Sequence, residues 1–188
     1  MKIKTLFAFL FLMAGFDTLL IYLCPVDFSF RSMSFVPHTA FLALLLLVND
    51  KESLDRILIC LFTGIVYDFC FNSSFPISTI LFPLFGYILG ALPKAIRDNV
   101  VTFFISCVLC IFLLDLLPFL FCKAVGVIQV RFWTWIFHVE LTTLIFHVAV
   151  LIGLYFLVGY MEDVALRRQQ KRNEQERDMY RRIRSARR

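Results

Sequence analysis

Four acidic residues lie inside long apolar stretches of this sequence, where an ionised side chain is costly and is a candidate for function. They are Asp17, Asp68, Asp115 and Glu140. A helix would place Glu140, Thr143 and His147 on one stripe, which we expect to face neighbouring helices. Such groups could bind a ligand or carry protons, or pair with a partner's transmembrane segment. They could also accept hydrogen bonds from Ser, Thr, Tyr and backbone groups of adjacent helices.

Other residue types point to little chemistry. The three histidines do not form a metal-binding pattern such as HExxH. Cys107 and Cys110 have the spacing of a redox motif, but they lie among Ile, Val and Leu, where small apolar packing is expected and a reactive thiolate is not. The sequence shows no nucleophile elbow, P-loop or dinucleotide fingerprint. No residue therefore argues for an enzyme, and we predict no cofactor, no metal site and no nucleic-acid partner.

The elements that carry these residues are predicted from composition. Of the 188 residues, 60% are hydrophobic and 18% are charged, against about 45–50% and about 25% in soluble domains. A membrane-spanning helix needs roughly 20 apolar residues. Apolar stretches occur at about 5–24, 35–49, 56–72, 76–93, 99–121 and 133–159. The sequence thus predicts an all-α, polytopic membrane protein with six transmembrane helices over residues 1–160 and a tail over residues 161–188.

The positive charge is unevenly distributed. The net charge of +5 lies entirely in the tail, because basic and acidic residues balance in residues 1–160. With the N-terminus inside, sixteen Lys and Arg residues fall in predicted cytoplasmic segments and three in outer loops. We predict that both termini are cytoplasmic. The first apolar stretch is predicted to be a retained anchor, because small residues for signal-peptide cleavage do not follow it.

The tail is predicted to be either a solvated helix that continues the sixth span or a disordered segment. Its basic side chains could bind anionic lipid or an acidic cytoplasmic partner, or could act only as a topology determinant. The basic residues singled out are Arg167, Arg168, Lys171, Arg172, Arg181, Arg182 and Arg184.

The predicted topology also gives a depth for each intramembrane acid. Asp17, Asp68 and Asp115 would lie roughly 18–26 Å above the cytoplasmic side at the rise of an α-helix. Glu140 lies early in a span that descends from the outer side. All four acids therefore fall in the predicted outer half of the bilayer. We predict that they form an outward-lying polar cluster, with His147 as a further candidate member.

Small residues indicate where helices can approach closely. Gly86 and Gly90 form a small-xxx-small pair, as do Ala149 and Gly153. Packing within the chain and contact with another protein both remain open for these residues.

The stretch from Phe35 to Leu92 resembles the rod shape-determining protein MreD family. The matching features are Pro37 before the apolar FLALLLLV, a short charged loop from Asn49 to Arg56, the segment Gly64-Ile-Val-Tyr-Asp68, and Gly86-Tyr87 with Gly90 on the fourth helix. The chain departs from the family at His38, where Asp is frequent, and at Phe75-Pro76, where a Leu-Gly turn is frequent. Length, span count and the basic tail agree over nearly the whole chain.

The resemblance implies a non-enzymatic scaffold in the bacterial plasma membrane that helps to maintain cell shape during wall elongation. Such proteins work beside MreC, a single-span coiled-coil protein, and associate with MreB filaments and with the glycan polymerase and transpeptidase of the lateral wall. The family fold is similar to the substrate-binding subunits of energy-coupling-factor vitamin transporters. The alternative function is therefore a small-molecule transporter subunit with an outward-facing cavity. A membrane enzyme that uses the outer carboxylates is a third hypothesis.

Overall fold

All regular structure in the described part of the chain is helical. The computed structural model describes residues 3–27, 30, 32–71 and 76–186, with side chains described as far as Arg177. The helices are α1 (Ile3–Leu23), α2 (Thr39–Val48), α3 (Ser53–Cys70), α4 (Ile77–Ala91), α5 (Lys94–Arg97), α6 (Val100–Ala124), α7 (Phe132–Trp135) and α8 (Leu141–Ala186), with a π-helical turn at Ile136–Glu140 between α7 and α8.

Among these, three helices are long and apolar enough to cross a membrane: α1, α6 and the helix that runs from Phe132 to Arg177. Two further apolar helices, α2 and α4, are shorter. The helix α3 has 18 residues but includes Asp55, Arg56 and Asp68. Each predicted apolar stretch therefore contains a helix, although only three of these helices have the length and composition of a full span.

The helix α2 differs most from its predicted span. The apolar stretch predicts a helix over residues 35–49. In the structure the helix begins at Thr39, and the residues directly before it are not helical. Ten residues rise only about 15 Å, roughly half of the hydrocarbon thickness. Nearly all of its side chains are buried, because it contacts α1, α3, α4, α6 and α8. A helix that is apolar on every side is expected in such a central position.

The pair α3 and α4 packs with unusually little space between the two backbones. A Cβ atom on Gly64 would lie 2.5 Å from the backbone oxygen of Ser78. One on Gly86 would lie 2.5 Å from the sulfur of Cys60, and one on Gly90 would overlap the guanidinium of Arg56. These glycines therefore pack inside the chain, where they allow α3 and α4 to touch.

The last helix is continuous from the bilayer-length segment into the basic tail. The helices α7 and α8 and the π-helical turn form one rod that reaches Ala186. Thr5 of α1 lies beside residues 160–176 of this rod. The beginning of α1 and the tail therefore occupy the same end of the bundle. The sequence left open whether the tail is a helix or a disordered segment, and in the structure it is a helix as far as Ala186.

Candidate functional site

Asp17 of α1 is completely buried and accepts hydrogen bonds from the beginning of α2. Its Oδ1 accepts from the backbone N–H of Thr39 at 2.9 Å and from the Thr39 hydroxyl at 2.5 Å, and its Oδ2 accepts from the N–H of Ala40 at 2.9 Å. The first N–H groups of a helix lack partners within the helix, and negative charge is favourable there. His38 occupies the N-cap position of α2, but its side chain makes no capping hydrogen bond. Asp17 therefore caps the beginning of α2 instead.

Asp68 of α3 plays the same part for α4. Its Oδ1 accepts from the N–H of Ser78 at 3.0 Å, and its Oδ2 accepts from the N–H and the hydroxyl of Thr79, both at 2.7 Å. Each of these two helices is therefore capped by a carboxylate from the preceding helix. Both acids have a structural use that accounts for their presence inside an apolar bundle.

The segment 34–38, which precedes α2, lies along α7, the π-helical turn and α8. Its alternate N–H groups donate to that rod, so an extended backbone is satisfied inside the bundle. The bonds run from Ser34 N to His138 O at 2.9 Å, from Val36 N to Thr143 Oγ1 at 3.1 Å and from His38 N to His147 Nε2 at 2.8 Å. The carbonyl of Pro37 accepts from the hydroxyl of Tyr67 at 3.1 Å.

His147 has its tautomer fixed by these contacts. Its Nε2 accepts the N–H of His38, so that nitrogen carries no proton. Its Nδ1 lies 2.6 Å from the backbone oxygen of Thr143 and therefore donates to it. His147 is thus a neutral, fully bonded side chain, and it holds the beginning of α2 against α8.

His38 joins this arrangement to α6. Its Nε2 lies 2.8 Å from Oδ1 of Asp115, and the two side chains are 11% and 14% exposed. Its ring stacks on that of His147 with the centroids 5.8 Å apart. In the sequence, His38 stands out only as a departure from the family pattern. Its position directly after Pro37 and before an all-apolar helix was the available signal that it is a buried polar residue.

Glu140, in the π-helical turn, is 1% exposed. Neither of its carboxylate oxygens has a hydrogen-bond partner among the described residues, although Asp115 is close enough to interact with it electrostatically. No group of three or more His, Cys, Asp or Glu side chains in the described ranges could hold a metal ion. Glu140 is thus the one member of the predicted polar cluster for which the described contacts supply no structural use.

The structure brings together most of the predicted polar cluster. Asp115 and His147 meet through His38, and Asp17 joins one residue further along through Thr39. Glu140 has no hydrogen bond to them among the described residues. Asp68 makes its described hydrogen bonds to α4 instead. The stripe of Glu140, Thr143 and His147 is buried throughout.

At the other end of α2, Arg56 of α3 caps the helix. This guanidinium is 4% exposed and donates to the backbone oxygens of Val48 at 3.1 Å, Asn49 at 3.3 Å and Lys51 at 2.6 Å. Cationic groups are favourable at the C-terminus of a helix. In the sequence, Arg56 is only one of the positive charges of a predicted cytoplasmic loop.

Replacing Arg56 with Lys is expected to lower the free energy of unfolding by about 1–3 kcal/mol, because one ammonium cannot reproduce a fork of bonds to separate carbonyls. Arg97→Lys is the matched control, since Arg97 makes one described bond, to Asn49 O at 3.0 Å. Thermal unfolding of both variants in detergent would show the difference. An equal effect of the two substitutions would contradict the capping role of Arg56.

The remaining predicted residues whose side chains the structure describes lie on exposed surfaces. Ala149 and Gly153 are exposed on α8, and a Cβ on Gly153 would meet nothing within 4 Å. The basic residues Arg167, Arg168, Lys171 and Arg172 are exposed on the helical tail. The side chains of Arg181, Arg182 and Arg184 lie outside the described residues.

The comparison with curated proteins gave no match, and neither did the comparison with solved structures. The family model of the rod shape-determining protein MreD matches residues 1–162, which include every buried polar contact described above. Apolar helices and this match fit a multi-pass membrane protein. The chain therefore belongs to the MreD family, whose role is rod shape determination.

Proposed function

We propose that this protein is a non-enzymatic membrane scaffold of the bacterial cell-wall elongation machinery. It binds an MreC-like single-span coiled-coil protein and links it to the glycan polymerase and transpeptidase and to MreB-like filaments. Family membership over residues 1–162 carries the proposal. The described hydrogen bonds support it, because Asp17, Asp68, His147 and Arg56 join helices to one another.

The proposed surface for the partner helix is the face of α8 around Ala149 and Gly153. Unlike Gly64, Gly86 and Gly90, this small-residue pair is not used inside the chain. Its exposed apolar neighbours on the same face are Ile145, Ile152 and Phe156. Small residues between larger apolar ones allow a second transmembrane helix to approach closely. A single-span partner is the occupant that fits the family role.

The proposed topology has six membrane crossings with both termini in the cytoplasm, in a fold similar to the substrate-binding subunits of energy-coupling-factor transporters. The presence of a helix in each of the six predicted apolar stretches and the balance of basic residues support it. The short helix α2 completes its crossing through the extended segment 34–38, whose backbone is bonded to α8 and its neighbours. The exposed basic residues 167–172 would then face the anionic lipid of the inner leaflet.

The test is recovery of the single-span partner with tagged full-length protein in a mild detergent. Gly153→Leu places a large side chain on the proposed surface and is expected to reduce recovery about tenfold, which corresponds to about 1.4 kcal/mol. Gly15→Leu is the matched control, because Gly15 is also an exposed helical glycine with open space around it, but on α1. Equal recovery with both variants would rule out this face of α8. Failure of the unmodified protein to recover any such partner would overturn the scaffold itself.

A further inference from the structure

A cleft of about 760 Å³ lies between the beginning of α1 and α3, at the same end of the bundle as the tail. Eight of the eleven residues that line it are apolar, and the other three are Lys4, Lys51 and Asp55. Most of the apolar side chains are exposed, so the cleft is open to a molecule outside the chain. Concave apolar surfaces with a few polar groups are typical of binding sites.

The apolar part of the cleft is a groove along α3. Its floor contains Leu6 and Ile59, which are buried, and Phe7 meets Phe62 edge to face with the ring centroids 5.2 Å apart. On α3 the lining extends from Asp55 to Ile65, which is a rise of about 15 Å. That length is about half the hydrocarbon thickness of a bilayer, or one leaflet.

The charged residues lie at one end of this groove. Lys4 is in the first turn of α1, Asp55 is in the first turn of α3, and Lys51 is in the loop before α3. The backbone of Lys51 is held in place, because its N–H donates to Val48 O at 3.1 Å and its carbonyl accepts from Arg56 at 2.6 Å. Among the described residues, none of the three charged side chains forms an ion pair. The end of the groove therefore has an excess of one positive charge.

The lining indicates the kind of molecule that fits. A transmembrane helix approaches closely where small residues lie between larger ones, and none of the eleven lining residues is Gly, Ala, Ser or Thr. An acyl chain is narrow and flexible, and it can lie between side chains as large as Leu58 and Phe62. The excess of positive charge is complementary to an anionic headgroup. An anionic lipid therefore fits both parts of the cleft.

We propose that this cleft binds one anionic phospholipid, with an acyl chain along Leu58, Phe62 and Ile65 and the phosphate at Lys4 and Lys51. Asp55 accepts a hydrogen bond from a headgroup hydroxyl, such as those of phosphatidylglycerol. In the proposed topology the lipid belongs to the inner leaflet. The site goes beyond the scaffold function and is distinct from the partner surface around Gly153, so each can fail without the other.

The experiment is native mass spectrometry of the full-length protein in detergent with added phosphatidylglycerol or phosphatidylcholine of the same acyl chains. We expect one phosphatidylglycerol to bind about fivefold more tightly than phosphatidylcholine, because of the excess charge. Glycerol 3-phosphate has the charge and hydroxyls of the headgroup but no acyl chain, so it should not displace the lipid at equal concentration. Equal affinities for the two lipids, or displacement by glycerol 3-phosphate, would overturn the proposal.

A pair of lysine variants localises the headgroup. Lys51→Gln removes one cation from the cleft and should weaken binding of phosphatidylglycerol about fivefold. Lys94→Gln is the matched control, because Lys94 is an exposed lysine of α5 that does not line the cleft. The helix α5 lies at the same end of the bundle, since its Arg97 donates to Asn49 O. Equal weakening by both substitutions would show diffuse attraction to the surface and would overturn the site.

Leu58→Trp tests the apolar part of the cleft. Leu58 is 54% exposed, so the larger side chain can occupy the groove without entering the core. The affinity for phosphatidylglycerol should fall about tenfold, while the melting temperature in detergent stays within about 2 °C. Unchanged affinity would contradict an acyl chain in the groove. If the variant instead lost the single-span partner and kept its affinity for the lipid, the cleft would be a docking site for a helix and the proposal would be wrong.

Discussion

Substitution of Asp17 by Ala is expected to produce one of the largest losses of stability available from a single side chain in this protein. Three donors of Thr39 and Ala40 would lose their acceptor inside the bundle. Each buried donor left without a partner costs about 1–3 kcal/mol, so the three together cost about 3–9 kcal/mol. The melting temperature in detergent should fall by about 10 °C or more.

Two further variants separate capping from other effects of removing Asp17. Asp17→Asn keeps one acceptor oxygen and should fall between the wild type and Asp17→Ala. Asp163→Ala removes an exposed acid of α8 and should leave the melting temperature within about 1 °C. If Asp17→Ala were as stable as Asp163→Ala, α2 would not depend on this cap.

The second large effect is expected from Gly64→Ala. The added methyl group would lie 2.5 Å from the backbone oxygen of Ser78 and 2.9 Å from Cα of Thr79. Backbone atoms cannot rotate aside as a side-chain tip can, so α3 and α4 must separate. The separation would also strain the cap of α4, because Asp68 bonds the same two residues. We expect a loss of about 3 kcal/mol, at the upper end of the range for overpacking.

Gly15→Ala is the matched control for this prediction. Gly15 is also a helical glycine, but a Cβ at that position meets nothing within 4 Å. The substitution should be neutral or slightly stabilising, because alanine favours helix more than glycine does. Unfolding in increasing denaturant, followed by circular dichroism, compares the two variants. Equal midpoints would show that α3 and α4 do not require the close approach at Gly64.

Hydrophobic runs in the sequence were sufficient to locate the helices, because a chain inside a bilayer must bond its backbone within each segment. They were insufficient for the beginning of α2. Phe35 and Val36 continue the apolar stretch, but the N–H groups of Val36 and His38 are bonded by Thr143 and His147, more than a hundred positions away. Periodicity within a segment carries no information about such a distant acceptor.

The same limit applies to the site. Asp17 and Glu140 were recognised by the same rule, that a charge inside a membrane is costly, yet one caps a helix and the other has no described partner. Distinguishing them required knowing which helix begins opposite each carboxylate. The spacing of Gly86 and Gly90 indicated a close approach, but not that the guanidinium of Arg56 fills the space over Gly90.

The position of α2 between Asp17 and Arg56 has a consequence for biogenesis. The anion at its beginning comes from α1, which is synthesised earlier, whereas the cation at its end comes from α3, which is synthesised later. A nascent chain that has emerged only as far as α2 therefore cannot complete both ends of this helix. During membrane insertion, α2 can therefore be capped at both ends only after α3 has been synthesised.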